Sequence, residues 1–86
     1  MDINSLNLII EKKILQNIFC KKITIEDKTY LHKKHKGHEK NKFHIKLTIQ
    51  SDELIKMNRI DSTKKIYKIL DYELKYYIHS IELLVN

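Results

Sequence analysis

The chain has no proline, no tryptophan, one glycine, one cysteine and one arginine among its 86 residues. The scarcity of cysteine and of glycine each closes off a class of function. The lone Cys20 cannot belong to an internal disulfide framework and fits a reducing compartment. With Gly37 as the single glycine, a Gly-rich phosphate loop is ruled out, and so is the Gly-x-x-Gly clamp of an RNA-binding KH domain. No apolar run approaches the roughly 18–20 residues that a membrane-spanning helix requires. The first residues lack the charged start and the small-residue cleavage site of a secretory leader, so a cytoplasmic location is expected. No serine or cysteine stands in a set with a base, and the acids are scattered, so the chain is not expected to be an enzyme.

What remains is a small, lysine-rich globular chain. Its 17 Lys and Arg against 11 Asp and Glu give a net charge of +6. Such a balance favours polyanions through phosphate neutralisation. Sixteen of the 17 bases are Lys, however, beside abundant Ile and Asn. A compositional drift of that kind raises the charge without a nucleic-acid role, and the sign of the charge is a weak functional clue. The length suits one domain over residues 1–86, with a single two-layer core.

The clearest pattern lies in His44-Ile45-Lys46-Leu47-Thr48-Ile49-Gln50-Ser51, where apolar and polar residues alternate as in a strand with one buried face. It is read as the central strand of a small sheet. Before it, Leu6, Ile10, Ile14 and Ile18 recur four apart, widened by Leu15 and Phe19, and predict a helix over 6–19 capped by Asn4 or Ser5. Cys20 at its end is expected to be a small buried hydrophobe. Residues 22–27 alternate again and predict a first strand, with Ile23 and Ile25 facing the helix. From 28 to 43 periodicity vanishes, which predicts a long basic connection. His32, His35 and His38 fall three apart there, and taken alone they read as part of a solvated basic loop rather than a metal cage.

Beyond the central strand, Ser51 and Asp52 start a turn that brings Leu54 to the core. A seam of Ile60, Thr63, Tyr67, Leu70, Leu74 and Tyr77 predicts one long amphipathic helix, with Asp61 to Lys65 and Asp71 to Lys75 as i,i+4 ion pairs. Tyr67, Tyr72, Tyr76 and Tyr77 are expected in the core or at its rim. Residues 78–85 read as a last strand, with His79 at its start. The fold class expected is α/β (α+β) in the order α-β-β-α-β. A three-stranded mixed sheet has its first pair antiparallel, its second pair parallel, and helices on one face.

Four pieces taken in order resemble the BolA family. Asp27-Lys28-Thr29-Tyr30-Leu31-His32 is similar to its Asp-x-Ser-x-x-His loop start. HIKLTIQS at 44–51 is similar to its His-Phe-x-Val-x-Val-x-Ser strand. Ile66-Tyr67, Leu70 and Glu73-Leu74, followed by Ile78-His79-Ser80-Ile81, resemble its Ile-Tyr, Leu, Glu-Leu and Ile-His-Ala-Leu sequence. The chain departs from the pattern at Ser62-Thr63-Lys64, where the family has Arg-His-Arg, and at Lys56, where it usually has Gly. The family's Thr-Pro-x-x-Trp tail is not found before Asn86.

The resemblance implies a module related to class II KH domains and a non-enzymatic partner protein, a monomer or weak homodimer with no membrane association. Such proteins bind a monothiol glutaredoxin and share a bridging 2Fe-2S cluster with it and glutathione, in iron homeostasis and cluster trafficking. Carried over by position, the metal ligands are His79 and His32, with His35, His38 and His44 as alternatives for the second. The other reading implied is a DNA-binding transcriptional regulator of stress response and cell morphology. Its nucleic-acid surface would comprise Lys56, Arg59, Lys64, Lys65 and Lys68, backed by Lys33, Lys34 and Lys36.

Overall fold

The computed structural model describes residues 1–29 and 42–86. The elements run α1 (Ile3–Asn17), β1 (Lys22–Asp27), β2 (Phe43–Gln50), α2 (Asp52–Ile55), α3 (Arg59–Ile69), α4 (Asp71–Tyr76) and β3 (Ile78–Val85). The sheet has the order β1-β2-β3, with β1 antiparallel and β3 parallel to the central β2. This is the expected architecture, and the alternation along β2 explains it. Ile45, Leu47 and Ile49 are buried, and they form one cluster with Leu6, Ile10, Ile14 and Ile18 of the first helical stripe and with Ile66 and Leu70. Each such side chain contributes on the order of 1.5–3 kcal/mol by leaving water. Ile23 and Ile25 of β1 pack on the same cluster.

Three sequence expectations are corrected. The first helix starts earlier, because the Asp2 carboxylate accepts from the Ser5 amide at 2.7 Å and caps it in place of Asn4 or Ser5. Leu15 and Phe19, assigned to the stripe, are 52% and 79% exposed. The single long helix is two helices broken at Leu70, and their buried line is Ser62, Ile66, Leu70 and Glu73. Ile60, placed in the core by its chemistry, is 67% exposed. The buried line departs from the apolar seam because two of its members are polar. Ser62 Oγ donates to the Arg59 carbonyl at 3.1 Å, and Glu73 accepts from Lys13 Nζ at 2.8 and 2.7 Å. Satisfied in this way, a polar side chain can occupy a core position.

The ion pairing of α3 also differs. Asp61 is held by Asn58, whose side chain accepts from the Asp61 amide at 2.8 Å and donates to its carboxylate at 2.9 Å. Lys65 turns to Glu53 of α2 at 2.6 Å. This contact, followed by the Phe19 amide, holds the Glu53 carboxyl below the usual carboxylate range. At the N-cap of α2, the buried Ser51 donates to the Phe19 carbonyl at 2.8 Å and accepts from the Leu54 amide at 3.3 Å. Ser51 thereby fixes the turn that seats Leu54. Cys20 is half-buried against the core; burial, then Glu11 and Glu53, push its thiol up, so it stays protonated and poorly nucleophilic at neutral pH.

Candidate functional site

His79 owes its position to a fault in the parallel ladder. Phe43 is paired with Ile78 and His44 with Ser80, so β2 advances one residue while β3 advances two. His79 is the extra residue of this β-bulge, a device that redirects a side chain locally. The bulge also reverses the facing of the strand. Ile78 is buried at 1%, and after the fault Ile81, Leu83 and Val85 pack against the core instead of Ser80, Glu82 and Leu84. His79 itself is exposed.

The redirected imidazole meets a second one. The rings of His44 and His79 are tilted at 45° with their centroids 4.8 Å apart. His44 is buried, and its Nδ1 lies 2.7 Å from Ser80 Oγ. The backbone around His44 is anchored on its other side too. Its amide donates to Thr29 Oγ1 at 3.2 Å, and its carbonyl accepts from the Lys28 amide at 2.7 Å. Thr29 is in turn held by its hydroxyl and its amide on the Asp27 carboxylate, the latter at 2.9 Å. Asp27 and Thr29, the described part of the loop-start motif, are therefore a turn that ties the end of β1 to His44.

The arrangement suits partial rather than complete metal ligation. A tetrahedral ion with two imidazole ligands at about 2.0 Å holds their ring centroids roughly 5 Å apart, so the spacing of the pair is compatible with one ion. The two rings differ in access: His79 is exposed and His44 is buried. Among the described residues no three His, Cys, Asp or Glu side chains gather at one point, so further donors would come from outside this set. His32, His35 and His38 lie outside the described residues, and so do Lys33, Lys34 and Lys36.

The proposed nucleic-acid residues are more dispersed. Lys56, Arg59, Lys64 and Lys68 are exposed, while Lys65 is occupied by Glu53. At about 100° per residue, Lys64 and Lys68 fall on the side of α3 away from its buried line. Arg59 turns towards β3 and lines an open groove with Thr63 and Leu84. No helix of the described residues is long and apolar enough to cross a membrane.

Sequence reasoning reached His79 through the motif but missed Ser80 and the bulge. A signal was present: Ile78 has the opposite parity to Ile81, Leu83 and Val85, which a regular strand cannot bury on one face. The nearness of His44 to His79 carried no such signal, because it depends on the register of two strands far apart in sequence.

Fold and site together define a small α+β protein with a helix-covered mixed sheet and a histidine pair at the bulged start of its last strand. The sequence profile described as BolA-like protein matches residues 14–86, and the chain belongs to that family. It is 30% identical over 79 residues to the DNA-binding transcriptional regulator BolA of Haemophilus influenzae, covering 92% of this chain and 74% of that one. Two Arabidopsis thaliana structures share the fold. The BolA domain of SufE1 has a TM-score of 0.77 at 23% identity, over 100% of this chain and 93% of that one. BolA1 has a TM-score of 0.72 at 22% identity, over 90% and 85% respectively.

Proposed function

We propose that this BolA-like chain is a non-enzymatic partner protein that offers His79 to a 2Fe-2S cluster carried by a monothiol glutaredoxin with glutathione. The observation that supports this most directly is the exposed bulge residue, turned out of the ladder beside a second imidazole. A histidine in place of a thiolate raises the cluster's reduction potential, and because the ligating imidazole must be neutral it makes ligation pH-dependent. The second ligand is one of His32, His35, His38 and His44. The buried His44, held by Ser80, also fits a role in fixing the His79 ring without touching metal.

Reconstitution of the glutaredoxin complex under anaerobic conditions tests the reading. His79→Ala is expected to abolish the visible spectrum that distinguishes the mixed-ligand cluster, and His44→Ala to shift or weaken it. A spectrum indifferent to His79→Ala contradicts the assignment.

The second reading, a DNA-binding regulator, is supported by the name of the Haemophilus influenzae relative. Here Lys56, Arg59, Lys64 and Lys68, with Lys65 once released from Glu53, would contact phosphates. Arg59 is the one side chain among them suited to bidentate base reading. Binding on this surface is therefore expected to be salt-sensitive and weakly selective, with Lys64→Ala/Lys68→Ala lowering affinity for all sequences alike. A gel shift at near-physiological salt showing strong sequence selectivity would overturn that expectation and favour this reading over the first.

A further inference from the structure

The two edges of the sheet are unlike. Three of the six residues of β1 are charged, against one of the eight of β3. Charge on an edge strand discourages further pairing, so the β3 edge is the less protected of the two. Its free backbone groups follow from the last rung of the ladder. The Asn86 amide donates to the Ile49 carbonyl at 3.0 Å, and the Asn86 carbonyl accepts from the Ser51 amide at 2.9 Å. Both groups of Asn86 thus face β2, and by the alternation of a strand those of Val85, Leu83 and Ile81 face outward. The Tyr67 hydroxyl donates to the Ile81 carbonyl at 3.5 Å, which leaves Leu83 and Val85 as the open stretch among the described residues.

An apolar groove runs beside that stretch. Its volume is about 340 Å³, with Leu54 and Met57 on the helical side, Leu83 and Val85 on the strand side, and Arg59 as its cation. Ile55 and Leu84, also in its wall, are 57% and 47% exposed. The positive charge here has no counterpart. Arg59 and the neighbouring Lys56 are exposed, whereas the acids of α2 and of the first turn of α3 are engaged elsewhere: Asp52 with Lys21, Glu53 with Lys65 and Asp61 with Asn58.

We propose that the outer edge of β3 and this groove bind an extended acidic segment of a partner protein, which adds a fourth strand at Leu83 and Val85 and sets a carboxylate against Arg59. The site is separate from the metal-sharing one, whose histidines stand at the other end of β3. Three features argue the occupant. The groups offered by Leu83 and Val85 repeat at about 6.6 Å, as those of an added strand do. A peptide supplies both donors and acceptors at that repeat, whereas a phosphodiester chain supplies acceptors alone. Alternate side chains of such a strand lie on the helical face, where the groove takes apolar ones. The guanidinium fork matches a carboxylate in two parallel bonds. A second copy of this chain is a poorer match, since its own β3 offers one acid, Glu82, on the strand side turned from the core.

The test uses the full chain labelled with ¹⁵N and the peptide acetyl-Asp-Thr-Val-Thr-Val-Thr-Asp-amide, one face of which reads Asp, Val, Val, Asp in either strand direction. Nuclear magnetic resonance is expected to show saturable shifts at Leu83, Val85 and the Arg59 side chain. The amides of Leu83 and Val85 are expected to become protected from hydrogen exchange as the peptide saturates. Arg59→Ala, at an exposed position, is expected to weaken binding about tenfold or more. The same peptide with Lys at both ends, or N-methylated at its Val and Thr residues, is expected not to bind. Unchanged exchange at Leu83 and Val85 under millimolar peptide, equal binding of the Lys-ended peptide, or parent-like affinity in Arg59→Ala overturns the proposal. So does protection of the two amides by chain concentration alone, which marks a second copy as the occupant. An oligothymidylate that protects them and displaces the peptide assigns the groove to nucleic acid and also overturns it.

Discussion

Glu73 is 3% exposed and keeps both carboxylate oxygens within 2.8 Å of Lys13 Nζ, sixty residues away in the chain. A carboxylate taken out of water at this depth depends on its counter-ion, because each partner removed leaves the other uncompensated. Lys13 is itself 36% exposed, which moderates the cost. Lys13→Ala is expected to destabilise the fold by about 2–3 kcal/mol. In a domain of this size that lowers Tm by about 10 °C or more, measurable by thermal unfolding. A shift of under about 2 °C would show that water serves the carboxylate as well as the lysine does. The contacts of Lys65 with Glu53 and of Lys21 with Asp52 lie at half-exposed or exposed positions and hold far less.

At the scale of elements, the strands were the most legible part of the sequence. The bounds read for β1 and β3 are those observed, and β2 is shifted by one residue. Alternation survives tertiary context because a strand covered on one face must keep its parity. The helices were less legible where a polar residue occupies a core position. The line of Leu6, Ile10, Ile14 and Ile18 is wholly apolar and was read correctly, whereas the line through Ser62 and Glu73 was displaced onto Ile60 and Tyr67. Hydrophobicity alone cannot show that a serine will bond to its own helix or that a distant lysine will reach a glutamate. At the site, the motif pointed to His79, whereas the bulge, legible in the broken parity of β3, was missed. Pairing with His44 needed the register Phe43 with Ile78 and His44 with Ser80, a non-local fact.

For the whole molecule, the sheet, helices and bulge place an exposed histidine beside a buried one at the start of β3, with Lys64 and Lys68 on the side of α3 away from its buried line. The +6 charge assists encounter with an acidic partner as readily as with a polyanion, and so does not choose between the two readings. Metal–nitrogen coupling does choose. The direct measurement is pulsed electron paramagnetic resonance of the reduced, cluster-bridged glutaredoxin complex, prepared with this chain labelled with ¹⁵N-histidine. The account predicts a strongly coupled histidine nitrogen that changes isotope with the label and is lost or altered in His79→Ala. A cluster signal with no coupling from the labelled chain, as thiolates alone would give, contradicts it.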